Sequence, residues 1–203
     1  MTIPTLIVPG LNGSGPDHWQ SWWQAIAPAS VRVVQDDWAN PDLDQWSQRV
    51  AESLQQQTQP VWLVAHSFGV LASVHAAYRF PEKVAGAFLV APADPEKFGL
   101  STEMPLSSLP FPSLLVASSN DPWLKLMNAS YWSGAWGSHL VNLGQVGHIN
   151  PESGFGPWVE GYNLFRRFVR SHEGVLSGDI AWQELTDASI HRLPVDGEIQ
   201  LSH

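Results

Sequence analysis

Cysteine is absent from all 203 positions of the chain. That excludes a disulfide framework, thiolate metal ligands and a cysteine nucleophile. Cations are scarce: ten Lys plus Arg stand against nineteen Asp plus Glu, for a formal net charge of −9. Nucleic acid and anionic membrane surfaces are held by clustered cations, so neither is expected as a partner. Long apolar runs are missing as well. No window reaches the roughly 18 apolar residues of a membrane span. The start, Met1-Thr2-Ile3-Pro4-Thr5-Leu6, lacks the basic region and apolar stretch of a signal peptide. The expected location is the cytoplasm.

What is present reads as a packed domain. Hydrophobic residues make up 44% and charged residues 14%, a balance that favours a folded core over disorder. Eleven tryptophans are far more than a chain of this length needs. Trp19, Trp22, Trp23 and Trp38 adjoin predicted loops, where they are placed to line an apolar pocket.

Short apolar runs alternate with helical patterns along the chain. Predicted strands are 5–8, 31–35, 61–65, 84–91, 113–117 and 139–143. Predicted helices are 18–27 capped by Asp17, 42–57 capped by Asp42, 68–80, 121–133 opened by Asp121-Pro122, and 158–170. Such alternation means βαβ units, right-handed crossovers and a parallel sheet covered on both faces. Residues 92–112 form an irregular excursion. Gly10-Leu11-Asn12-Gly13-Ser14-Gly15 follows the first strand, but has neither dinucleotide-fingerprint spacing nor the Gly-Lys-Ser/Thr of a P-loop. No metal or organic cofactor is expected. Residues 171–203 carry scattered apolar side chains, Trp182, Leu185 and Ile190 among them, and read as a C-terminal appendage to a 1–170 domain. A surface appendage, a dimer contact and a loosely ordered tail all fit that pattern.

Chemistry concentrates where the third strand meets its helix. Ser67 lies in Ala65-His66-Ser67-Phe68-Gly69, with small residues two positions to either side. This is a nucleophile elbow of the G-x-S-x-G kind with Ala at its first small position. The turn is tight enough that larger neighbours would strike the facing strand or helix. Ligands of open parallel sheets sit at the carboxyl ends of the strands. Asp121 lies there after the fifth strand and His148 after the sixth. A serine is a poor nucleophile unless an imidazole takes its proton, and the imidazole needs a carboxylate to fix its tautomer. Asp94, at the end of the fourth strand, is a second candidate acid, although it sits before Pro95 as readily as a turn former. The oxyanion donors expected are the Phe68 N–H and a backbone N–H of Leu11 or Asn12. His18 and Trp19 follow the first loop and are the candidate substrate-binding pair. His66 reads as structural and turned away from the serine; His75 and His139 read as parts of a helix and a strand.

These residues resemble the small retinoblastoma-binding-protein-type serine hydrolases of the α/β-hydrolase superfamily. The likeness rests on Val8-Pro9-Gly10, His18-Trp19, Ala65-His66-Ser67-Phe68-Gly69, Ser119-Asn120-Asp121-Pro122 and Gly147-His148-Ile149-Asn150, with Ser153-Gly154-Phe155-Gly156-Pro157-Trp158 beyond it. It spans residues 3–170 and implies a three-layer α/β-hydrolase fold in a minimal version. That version has a six-stranded parallel sheet in the order 2-1-3-4-5-6 and no large lid. It also implies hydrolysis of a short acyl ester by Ser67, His148 and Asp121 through an acyl-enzyme. A small-molecule acyl substrate is the expected partner, and the appendage offers a route to a homo-oligomer. Thioester or amide hydrolysis, acyl transfer and a protein-interaction role on the same scaffold are the alternatives.

Overall fold

Alternate residues of the central strands feed two separate cores, one on each face of a sheet. In β3 (Val61–His66), Leu63 and Ala65 join one core, while Trp62 and Val64 join the other. This period-two division is what a strand buried on both faces requires. The computed structural model describes residues 3–173. Around β3 lie β1 (Thr5–Val8), β2 (Ser30–Arg32), β4 (Val84–Val90), β5 (Ser113–Ala117) and β6 (His139–Asn142). All six pair in parallel, in the order β2-β1-β3-β4-β5-β6. The expected order and three-layer α/β class are those observed.

Two helices, α1 (Trp19–Ile26) and α5 (Val159–Glu173), cover one face. Trp23, Phe88, Phe165 and Phe168 pack there, each almost wholly buried. The other face carries α2 (Leu43–Gln55), α3 (Phe68–Arg79) and α4 (Leu126–Trp136), through residues such as Val50, Leu71 and Trp136. Each large apolar side chain so buried contributes about 1.5–3 kcal/mol. The tryptophans therefore serve the core more than any pocket.

Element ends differ from expectation where side chains intervene. The cap of α1 is His18 rather than Asp17, because His18 Nδ1 accepts the Gln20 N–H at 3.1 Å. Asp121 does not open α4. Its carboxylate accepts the Trp123 N–H at 2.8 Å in a local turn, and the helix starts five residues later. Strand β2 stops at Arg32, and α5 continues to Glu173. Most of the expected appendage, from residue 174 onward, lies outside the described residues. Among the described residues no helix is long and apolar enough to cross a membrane.

Candidate active site

Ser67 separates β3 from α3 with φ 54° and ψ −126°, a conformation that is costly for a residue with a Cβ. Its own N–H is tied to the Val90 carbonyl at 3.1 Å, which locks the turn to the neighbouring strand. Two glycines let the backbones close on it. A Cβ at Gly69 would lie 2.2 Å from the Pro9 carbonyl oxygen, and one at Gly10 would lie 2.7 Å from Ser67 Cβ. The loop after β1 is thereby pressed against the serine. The Ser67 side chain makes no capping bond to α3 and is left for other work.

That hydroxyl meets His148. Ser67 Oγ lies 2.9 Å from His148 Nε2, and His148 Nδ1 lies 2.9 and 3.0 Å from the two Asp121 carboxylate oxygens. A carboxylate only accepts, so Nδ1 carries the proton. In the neutral ring, Nε2 is then the acceptor for the Ser67 O–H. Asp121 and His148 are both buried, which strengthens their bond relative to a solvated pair.

The loop bearing His148 is pinned from three directions. His66 Nε2 donates to the His148 carbonyl and Trp19 Nε1 to the Ile149 carbonyl, each at 2.9 Å. Asn120 Oδ1 accepts the Gly147 N–H at 2.7 Å, tying this loop to the one that bears Asp121. Beneath them Gln20, fully buried, donates to the carbonyls of Val8 and Val64 at 3.1 Å and clamps the ends of β1 and β3. Asn120 and Gln20 are supports that sequence reasoning passed over. For Asn120 the signal was its place beside Asp121; a buried Gln in a helix carries no such signal.

The remaining predicted residues separate clearly. Phe68 is the first residue of α3, so its N–H has no intrahelical acceptor. The Leu11 N–H meets no acceptor among the described residues, whereas the Asn12 N–H is taken by the Trp38 carbonyl at 2.8 Å. Of the two loop donors expected, only Leu11 is left available. Trp19 is fully buried in the core and does not line the cleft; its ring is enclosed by Trp23, Trp158 and His66. Trp22, Trp23 and Trp38 are also absent from the cleft wall, and the tryptophan found there is Trp123. His66 is not turned away, since it packs at 4.9 Å against the His148 ring. Asp94 is held elsewhere, accepting from Glu96 N–H at 3.2 Å and Asn128 Nδ2 at 2.8 Å. His75 lies 3.1 Å from Ser47 Oγ across α2 and α3.

Above the serine opens a cleft of about 800 Å³. Phe98, Pro122 and Trp123 enter it from the loops after β4 and β5; Asp17, His18 and Glu152 enter from those after β1 and β6. Among the described residues no Lys or Arg lines it. Burial, with Arg32 and then His148 nearby, lowers the His18 pKa to about 4. Burial, with His148 and His18 adding to it, pushes His66 well below its ordinary value. Both rings are therefore neutral at pH 7. Among the described residues no group of three His, Cys, Asp or Glu is placed to hold a metal.

The fold has solved counterparts. A YdeN-like hydrolase from Pectobacterium atrosepticum is similar at 42% identity and a TM-score of 0.81, covering 84% of this chain and 92% of its own. The ydeN gene product of B. subtilis shares the fold at 19% identity and a TM-score of 0.66, over 82% of this chain and 98% of that one. An α/β-superfamily hydrolase from Xanthomonas campestris pv. campestris does so at 20% and 0.59, over 86% and 99%. No curated protein matches the chain. The serine hydrolase family matches residues 5–167, which include every residue of the Ser67–His148–Asp121 arrangement, and the chain belongs to that family.

Proposed function

We propose that the protein is a serine esterase acting on small acyl esters through an acyl-enzyme, with Ser67 as nucleophile, His148 as base and Asp121 as its orienting acid. The observation that carries this reading is the unbroken line of contacts from Asp121 through His148 to Ser67 Oγ. In acylation Ser67 Oγ attacks the acyl carbon while His148 Nε2 takes its proton. The imidazolium so formed is stabilised by Asp121. The carbonyl oxygen becomes an alkoxide facing the Phe68 and Leu11 N–H groups; each such donor is typically worth about 2.7–4 kcal/mol to the transition state. Collapse expels the alkoxide of the leaving alcohol, which receives the Nε2 proton. Water then repeats the sequence on the acyl-enzyme, its proton passing through His148 and returning to Ser67 as the acid departs.

Leu11, Phe98, Pro122 and Trp123 on the cleft wall support a small apolar acyl group. Among the described residues no cation lines its wall, and Lys97 behind Pro122 and Trp123 is engaged by them, which supports an uncharged substrate over phosphorylated or carboxylated ones. The Gly147-His148-Ile149-Asn150 segment supports placing the chain with the retinoblastoma-binding-protein-type members of its family. The test is labelling with a fluorophosphonate and peptide mapping, together with p-nitrophenyl acetate turnover. Label on Ser67 alone, and loss of both label and turnover in folded Ser67→Ala, is the expected result. Label elsewhere, or turnover that survives the substitution, would overturn it.

A further inference from the structure

A histidine is an odd choice for the cap of α1. Ser, Thr, Asp and Asn cap helices well and carry no ring into the interior. His18 is only 5% exposed. Its Nδ1 performs the cap by accepting the Gln20 N–H, a role that demands an unprotonated Nδ1. The proton of the neutral ring must then sit on Nε2. Burial keeps the ring neutral at pH 7. The cap thus fixes both the charge and the tautomer of His18.

The Nε2–H so fixed meets no acceptor among the described residues, yet it is not sealed in the core. Among the described residues, the fully enclosed side-chain polar atom lacking a partner is Ser73 Oγ, not His18 Nε2. The opening open to it is the cleft that His18 lines. His18 also stands in a row of rings. It packs at 4.9 Å against His66, and His66 packs at 4.9 Å against His148. His148 Nε2 is the atom that delivers a proton to the leaving oxygen, so the leaving alcohol passes on this side of the cleft.

We propose that His18 is a specificity-determining donor, its Nε2–H binding an uncharged oxygen on the leaving alcohol, so that the preferred substrates are short acyl esters of oxygen-bearing alcohols rather than of plain alkyl alcohols. This rests on the esterase reading above and adds the class of alcohol. An anionic acceptor is disfavoured because the same wall carries Asp17 and Glu152 and, among the described residues, no cation. Those carboxylates are suited to accept from hydroxyl groups on the same alcohol. A methylene opposite the donor would strip its solvent and give nothing back.

The test compares esters of one acid and matched length: butyl acetate, 2-methoxyethyl acetate and acetylcholine. For the native protein, kcat/KM for the methoxyethyl ester is expected to exceed that for butyl acetate by about five-fold, the worth of one neutral hydrogen bond. In His18→Phe that ratio falls to about one or below, mainly through KM. His18→Asn keeps a capping side chain but is too short to reach as far, and its ratio also falls. A native ratio of one or less, a ratio undiminished in both variants, or a preference for acetylcholine over both neutral esters would overturn the proposal. Fluorophosphonate labelling of Ser67 in the native protein separates the two readings. If Ser67 labels and the esters are not discriminated, only the role of His18 fails; if Ser67 does not label, the esterase reading fails first.

Discussion

Asp121 and Asp94 both end a strand, and only their hydrogen bonds tell them apart. Asp121 presents two oxygens to His148 Nδ1, whereas Asp94 is engaged by Glu96 and Asn128. An amide at 121 would offer an N–H where an acceptor is needed, and would favour the ring tautomer with its proton on Nε2. Asp121→Asn is therefore expected to lower the acylation rate by about 10⁴-fold. Asp94→Asn should leave it within about two-fold, since an asparagine oxygen still accepts the Glu96 N–H and only the bond from Asn128 is lost, at about 1 kcal/mol. Single-turnover kinetics with both variants check this, and the reverse ranking would move the acid to residue 94. The three polar members of the site were legible because each is a chemically unusual residue at a strand end. The roles of His66 and Trp19 were not. Both depend on which carbonyl an N–H reaches across the fold, His148 and Ile149, and spacing along the chain does not encode that.

At the scale of elements, the loop after β6 is a rigid arm rather than a flexible connection. Its carbonyls at 148 and 149 are held by side chains from β3 and α1, and its N–H at 147 by Asn120. Trp19→Phe removes one of these ties and leaves the Ile149 carbonyl buried without a donor. A cost of about 1–3 kcal/mol in stability is expected. Turnover should fall with little change in KM, because the base loses its placement while the cleft wall keeps its residues. Urea unfolding and steady-state kinetics on the folded variant check both statements; undiminished kcat would show that His66 and Asn120 suffice. Element existence was readable from periodicity throughout. Element ends were not, wherever a side chain outcompeted the pattern: His18 Nδ1 took the cap expected of Asp17, and Asp121 formed a turn where a helix start was expected.

The molecule as a whole carries two imidazoles that must stay neutral, and this sets its response to acid. His18 has a folded pKa of about 4 against an ordinary 6.5, and burial lowers His66 in the same sense. Below pH 6.5 the unfolded chain binds protons that the folded one refuses, so stability is fully present above that pH and is lost as pH falls toward 4. His18 alone accounts for a loss of about 3 kcal/mol across that window. The urea midpoint is expected to drop between pH 7 and pH 5, and His18→Asn should flatten the drop. An equally steep decline in the variant would place the acid sensitivity elsewhere. The sheet order also has a consequence in time. The nucleophile follows β3, the acid β5 and the base β6, and β6 is the outermost described strand on its side. During synthesis the serine emerges some eighty residues before its base. Until that edge strand docks, the elbow is an ordinary hydroxyl on a half-built sheet. Enzymatic competence thus waits for β6 and the loop that follows it, and recovered turnover on refolding counts only molecules in which that loop has docked.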